Sequence, residues 1–150
     1  MSMLTYLDYL AAHKLPTIWC PGCGNGIVLK AILKAFADLG LDKRKTVAVS
    51  GIGCWGWADD YIDVNAFHGT HGRALAFATG IKLANPELTV IVLMGDGDGA
   101  TIGGNHLIHA SRRNVDLTAV VVNNFNYGMT GGQYSGTTPA GSKTSTSPLG

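Results

Sequence analysis

Apolar and polar positions come in blocks along this chain, and the blocks have the lengths of strands and helices. Val90-Ile91-Val92-Leu93-Met94 is an unbroken apolar run that ends in an acidic, glycine-flanked turn, Gly95-Asp96-Gly97-Asp98-Gly99. A helical segment follows from Ile102 to about Arg113. A second apolar run, Leu117 to Val122, then ends on Asn123-Asn124-Phe125-Asn126. Upstream, Asn25 to Leu39 has helical spacing, with Ile27, Leu29, Ile32, Leu33 and Phe36 in its apolar stripe and Gly40 as its stop. Thr46 to Ser50 reads as a buried strand closed by the turn Gly51-Ile52-Gly53-Cys54, and Val64 to His68 as a short strand. Gly72 to Asn85 reads as an Ala- and Gly-rich helix that Pro86 terminates, and residues 3–13 as a short helix with Tyr6, Leu7 and Leu10 on one side. In Trp55 to Asp63 the pattern is ambiguous, and Trp55, Trp57 and Tyr61 read as core rather than pocket lining. Strands alternating with helices predict an α/β fold, a doubly wound and mostly parallel sheet, in a single domain over residues 1–150.

The strand–helix–strand unit around Asp96 carries the chemistry. Its polar residues stand where both strands end, which is where open parallel sheets bind ligands. Gly95 and Gly97 leave room for a phosphate-bearing group against the backbone, Asp96 supplies a hard oxygen for Mg²⁺, and Asn124 can add an amide oxygen. A lone Gly-Asp-Gly is explained equally well as a turn. Here the 25 residues from Asp98 to Val122 separate it from Asn123-Asn124, with an apolar strand before each. That arrangement resembles the thiamine diphosphate signature, in which the first Asp and second Asn bind Mg²⁺. The carbonyl two residues on, here that of Asn126, completes the protein ligands in that pattern.

Composition narrows the partners. A net charge of +1 with 14% charged residues argues against a nucleic-acid groove or a polybasic membrane patch. Hydrophobic residues reach 46%, yet no apolar run approaches the roughly 20 residues needed to cross a bilayer. Met1 to His13 carries Asp8 and has no basic region ahead of an apolar core, so it does not read as a signal peptide, and a cytoplasmic location is expected. With three cysteines, Cys20-Pro21-Gly22-Cys23 and the distant Cys54 read as metal ligands or redox thiols rather than a disulfide framework. Zinc, an iron–sulfur cluster and a redox pair all suit this spacing. Cys23 lies just ahead of the helix beginning at Asn25, where free N–H groups and the helix dipole favour an anionic ligand such as a thiolate-bound cluster. Tyr127 to Gly150, thick with Gly, Ser, Thr and Pro, has the composition of a disordered tail. Tyr127 to Gln133 nevertheless reads as a cofactor loop whose N–H and hydroxyl groups close over phosphates, and the remainder is left open.

Taken together, several stretches resemble the β subunits of 2-oxoacid:ferredoxin oxidoreductases, a thiamine diphosphate-binding family. They are Cys20-Pro21-Gly22-Cys23-Gly24, Gly51-Ile52-Gly53-Cys54, Thr70-His71-Gly72-Arg73-Ala74-Leu75-Ala76, Gly95-Asp96-Gly97-Asp98, Gly103-Gly104-Asn105-His106, and Asn123-Asn124 through Tyr127 to Gln133. They follow one another over nearly the whole chain and look most like the 2-oxoglutarate and branched-chain 2-oxoacid members. The resemblance implies oxidative decarboxylation of a 2-oxoacid to an acyl-coenzyme A, with electrons leaving for ferredoxin through a [4Fe-4S] cluster. Asp96, Asn124 and the Asn126 carbonyl would hold Mg²⁺. Gly95, Gly97, Asp98, Gly128, Met129 and Thr130 would lie along the diphosphate side. Ile52, Gly53, Cys54 and Trp55, with His71, Gly72 and Arg73, would line the thiamine-facing pocket. His71 is the candidate catalytic residue, and Cys20, Cys23 and Cys54 would be three ligands of the cluster.

Two departures come with the resemblance. A four-iron cluster takes four cysteines as a rule, and this chain has three. In the family the fourth lies in a continuation past the position of Gly150, so a fragment is expected. The family's cofactor-activating glutamate comes from the α subunit, and the single Glu here, Glu87, stands beside Pro86 at a helix end. His68, His106, His109 and Asn105 are expected to be structural, and Asp59 and Asp60 solvated. The competing readings are another thiamine diphosphate enzyme, a decarboxylase or synthase, for which the cysteines would be idle, and a small metal-binding domain, for which Asp96 and Asn124 would be.

Overall fold

The structure, a computed structural model, describes residues 4–150. Four parallel strands, β1 (Thr46–Ser50), β2 (Asn65–His68), β3 (Thr89–Gly95) and β4 (Thr118–Val122), form one sheet in the order β2-β1-β3-β4. Helices α1 (Asn25–Leu39), α2 (Ala74–Ala84) and α3 (Gly104–Arg113) connect or flank them. A two-residue hairpin, β5 (Asn126–Tyr127) with β6 (Gln133–Tyr134), follows β4. The two central strands are buried along nearly their whole length, as apolar runs in a sheet covered on both faces must be. On one face Ala48, Ile91 and Leu93 pack with Leu29, Leu33 and Phe36 of α1. On the other, Val47, Val49, Val90, Val92 and Met94 pack with Ala74, Leu75 and Ala78 of α2 and Ala110 of α3. The sheet is therefore doubly wound, as the alternation of strands and helices predicts.

Local signals place most boundaries. Gly40 adopts the left-handed conformation (φ 61°) and its N–H closes the end of α1, while Asn114 does the same (φ 49°) after α3. The small residues of α2 allow that helix to lie close on the sheet.

Several elements differ from the pattern-based expectation. The short helix expected over residues 3–13 is two single 3₁₀ turns, Tyr6–Tyr9 and Ala12–Lys14; Met3 lies outside the described residues. The buried side chain there is Tyr9, which packs edge-on against Phe36 and donates its hydroxyl to the Leu41 carbonyl at 2.7 Å, while Leu7 is exposed. The helix expected from Ile102 is preceded by a wide π-type turn, Gly97–Ile102, in which the Gly103 N–H reaches the Asp98 carbonyl. β4, an apolar run expected to be buried, is largely exposed because it is an edge strand of this sheet. Trp55 and Tyr61 are core, on a 3₁₀ segment Trp55–Tyr61, whereas Trp57 is partly exposed. Among the described residues no helix is long and apolar enough to cross a membrane.

Leu33 is 2% exposed at the centre of the α1–sheet layer, whereas Ile27 on the same helix is 75% exposed. Leu33→Ala is expected to lower stability by about 2–5 kcal/mol in denaturant titration, and Ile27→Ala by less than about 0.5 kcal/mol.

Candidate functional site

A cleft opens at the carboxyl ends of the sheet strands, and each of its walls comes from a different element. The turn after β1 contributes Ile52 to Trp55, the turn before α2 contributes His71, and the end of β3 contributes Gly95 to Asp98. The end of β4 adds Val122, Asn124 and Asn126, the hairpin adds Tyr127 to Thr130, and α1 adds Asn25 from its first turn. The walls are mixed: Ile52, Trp55, Val122 and Met129 are apolar, and the floor near Asp96 and Asn124 is rich in oxygen donors.

Asp96 and Asn124 meet across the gap between β3 and β4. The Asp96 carboxylate is 2% exposed, and its Oδ1 lies 3.4 Å from the Asn124 N–H. Asn124 Oδ1 accepts from the Asn126 N–H at 3.3 Å, and Asn126 Nδ2 donates to the Asn124 carbonyl at 2.9 Å, so the three residues form one tight loop. Phe125 at its apex takes a left-handed conformation (φ 62°), unusual for a non-glycine residue and a sign that surrounding contacts hold the loop. A carboxylate, an amide and a backbone carbonyl are hard oxygens, and this donor set fits Mg²⁺. Gly97 is required beside it, because a Cβ there would come within 2.5 Å of Cε1 of the Tyr127 ring.

Asp98 does something different. Its side chain is 1% exposed and turned into the protein. Oδ1 accepts from the Gly72 N–H at 2.7 Å and the Ile52 N–H at 3.3 Å, and bonds His71 Nδ1 at 2.6 Å; Oδ2 is buried without a partner. A Cβ on Gly51 would collide with this carboxylate, so the close approach of the β1 turn depends on glycine there. A carboxylate only accepts, so His71 donates through Nδ1 and leaves Nε2 as the ring nitrogen available to the cleft. The His71 ring stands edge-on to Tyr127, with 6.2 Å between centroids.

The three cysteines gather at one side of this cleft. Cys54 lines it directly. Trp19, beside Cys20, donates Nε1 to the Cys54 carbonyl at 2.5 Å and stacks on Trp55 at 5.7 Å. Cys20 and Cys23 are exposed and joined by a turn from the Cys23 N–H to the Cys20 carbonyl. Burial pushes the Cys54 thiol above its ordinary pKa, and the neighbouring Cys23 and Cys20 push it further. Among the described residues no three His, Cys, Asp or Glu side chains converge closely enough to hold a single metal ion, so the zinc alternative has no preformed site.

Other candidates fall elsewhere. Gly72 meets the site through its N–H alone, and exposed Arg73 bonds the His71 carbonyl at 3.2 Å and stands outside the cleft. Glu87 pairs with Lys45 at 3.2 Å beside the amino ends of β1 and β3, the opposite end of the sheet. His106 and His109 line a separate shallow groove between α2 and α3. Asp59, expected to be solvated, is instead 4% exposed, with His68 Nδ1 at 3.2 Å, because the 3₁₀ segment turns it under β2. Ser135, Thr137 and Thr138 are the residues that sequence reasoning missed. Ser135 Oγ donates to Asp96 Oδ2 at 3.0 Å, Thr137 Oγ1 donates to the same oxygen, and Thr138 Oγ1 donates to the Phe125 carbonyl at 2.5 Å. The Ser/Thr-rich composition that suggests disorder also supplied these hydroxyls, but composition does not reveal their partners.

Comparison with known proteins identifies the family. Residues 40–150 match the family model for the thiamine pyrophosphate enzyme, C-terminal TPP binding domain. The chain is 64% identical over 145 residues to the 2-oxoglutarate synthase subunit KorB of Archaeoglobus fulgidus, covering 97% of this chain and 54% of that one. It is 55% identical over 132 residues to the 2-oxoacid:ferredoxin oxidoreductase subunit beta of Saccharolobus solfataricus, covering 87% of this chain and 43% of that one. A solved 2-oxoglutarate:ferredoxin oxidoreductase from Magnetococcus marinus, with 2-oxoglutarate, coenzyme A and succinyl-CoA bound, superposes with a TM-score of 0.95 at 44% identity. That match covers 100% of this chain and 51% of the solved one. The chain spans about half the length of these relatives. With its sheet, its Asp96–Asn124 floor and these relatives in view, the chain belongs to the thiamine pyrophosphate enzymes, in the β-subunit family of the 2-oxoacid:ferredoxin oxidoreductases.

Proposed function

We propose that this chain acts as the β subunit of an enzyme that oxidatively decarboxylates a 2-oxoacid, 2-oxoglutarate or a branched-chain acid, to the acyl-coenzyme A and passes the electrons to ferredoxin. The observation that carries this reading is the position of Cys54, which lines the Asp96–Asn124 cleft and is also the electrostatic neighbour of Cys20 and Cys23. A cofactor floor with the Cys54 thiol in its wall and two exposed cysteines beside Cys54 suits a reaction that must move electrons one at a time away from the reacting carbon. Other thiamine diphosphate enzymes have no use for that thiol group.

In this reading Asp96, Asn124 and the Asn126 carbonyl hold Mg²⁺ and through it the diphosphate. The turns at Gly97 and Gly128 let that group lie close to the backbone, and Met129 and Thr130 border it. Ile52, Trp55 and Val122 exclude water from the reacting end. His71, held by Asp98, presents Nε2 to the substrate as a hydrogen-bonding and proton-handling group. Cys20, Cys23 and Cys54 supply three thiolates to a [4Fe-4S] cluster. When bound, thiamine diphosphate supplies carbanion chemistry and the cluster a one-electron acceptor. Glu87 stands at the far end of the sheet, away from the cleft, and in this reading, as the family resemblance implies, the glutamate that activates the cofactor belongs to the partner α subunit.

The first test is the visible absorption spectrum of the protein purified without oxygen. A broad charge-transfer band is expected, and Cys54→Ser is expected to abolish it. A colourless protein that still binds thiamine diphosphate would mean either a cluster lost for want of a fourth ligand or a decarboxylase or synthase, and the spectrum of a chain continued past Gly150 separates the two. Asp96→Ala is expected to weaken thiamine diphosphate–Mg²⁺ binding in calorimetry by more than about 100-fold, beyond what losing an outer-shell partner costs. His71→Ala in the assembled enzyme is expected to lower kcat by roughly 10²–10⁴-fold with an unchanged circular dichroism spectrum, the range for loss of a general acid or base.

A further inference from the structure

The segment Ser135-Gly136-Thr137-Thr138 runs back from the hairpin and ties down both halves of the oxygen-donor floor at once. Ser135 is 1% exposed, and its hydroxyl, with that of Thr137, donates to Oδ2 of Asp96 at the end of β3. Thr138 is 8% exposed and donates to the carbonyl of Phe125, between Asn124 and Asn126 at the end of β4. The segment is itself braced. The Ser135 N–H donates to Thr138 Oγ1 at 2.8 Å, and the Gly136 N–H donates to Thr101 Oγ1, on the wide turn after Asp98, at 3.0 Å. A Cβ on Gly136 would crowd that Thr101 side chain at 3.0–3.2 Å, so the docking is close.

We propose that Ser135, Thr137 and Thr138 are positioning residues for the divalent cation, an inference that rests on Asp96 and Asn124 being its ligands. A carboxylate has two oxygens and a free rotor. Two hydroxyls on Oδ2 fix that rotor and direct Oδ1, the oxygen facing Asn124, to the cation. The bond from Thr138 to the Phe125 carbonyl holds the strained apex of the Asn124–Asn126 loop and thereby sets the distance between the two donor groups. Outer-shell partners of this kind orient a metal's ligands, and losing one typically costs about 10–100-fold in affinity.

The test is Mn²⁺ binding in the presence of thiamine diphosphate, read from the electron paramagnetic resonance signal of free Mn²⁺, with the full chain assembled with its α subunit. Thr137→Val, a half-buried isostere not expected to disturb folding, should weaken Mn²⁺ binding about tenfold or more. Thr137→Ser restores the hydroxyl and should bind like the wild type. Ser135→Ala combined with Thr137→Val should lose more. Asp96→Ala should abolish binding. If Thr137→Val binds Mn²⁺ as tightly as the wild type while Asp96→Ala does not bind, the positioning role is overturned and the cation site stands. If Asp96→Ala leaves Mn²⁺ binding unchanged, or the wild type binds none, the cation site itself is overturned and this inference with it.

Discussion

The site depends on a buried charge at Asp98. One carboxylate oxygen holds the turn after β1 through Ile52, the turn before α2 through Gly72, and the His71 ring, and the other is enclosed against Gly51. Burying a carboxyl group is costly without donors, and here Oδ1 takes its donors from the backbone and ring groups that must converge to make the cleft, while Oδ2 has none. The cost of burying the charge thus becomes a geometric constraint. The three segments cannot drift apart without Oδ1 losing its donors, and the close approach leaves no room for a side chain at position 51. Asp96, two residues earlier on the same turn, is left free to face Asn124.

The wide turn that carries both carboxylates follows from this division of labour. Asp96, at the N-cap of that turn, stands in the β3–β4 gap, and Asp98, within it, lies under the β1 turn before α3 begins. Wide turns of this type recur at functional sites.

Much of the fold was legible in the sequence because burial acts there over whole segments. β1 and β3 are apolar along their length since both faces of the sheet are covered, and α1 starts near Asn25 and stops at Gly40 because the residue types at its ends leave little choice. Asp96 and Asn124 were legible because spacing and context select them together, and Cys54 through the family resemblance. What was not legible depends on single long-range contacts. Tyr9 is buried by a carbonyl 32 residues away, Asp59 is sheltered by His68, and Arg73 points away from the cleft although its neighbour His71 enters it. The tail is the clearest case. A run of Ser, Thr and Gly carries no hydrophobic signal, and its order comes from hydroxyls whose partners lie on two other strands.

The β4 strand has a physical consequence of its own. It carries Thr118-Ala119-Val120-Val121-Val122 along one border of the sheet, with no Pro, Lys or bulge to blunt it, and three of the five residues are exposed. Among the described residues its outward row of peptide groups has no neighbouring strand, and its side chains are of the kind that pair readily. Among the described residues this border is the open side of the sheet, so the hydrogen bonds of its peptide groups depend on what lies beside it in the complete assembly.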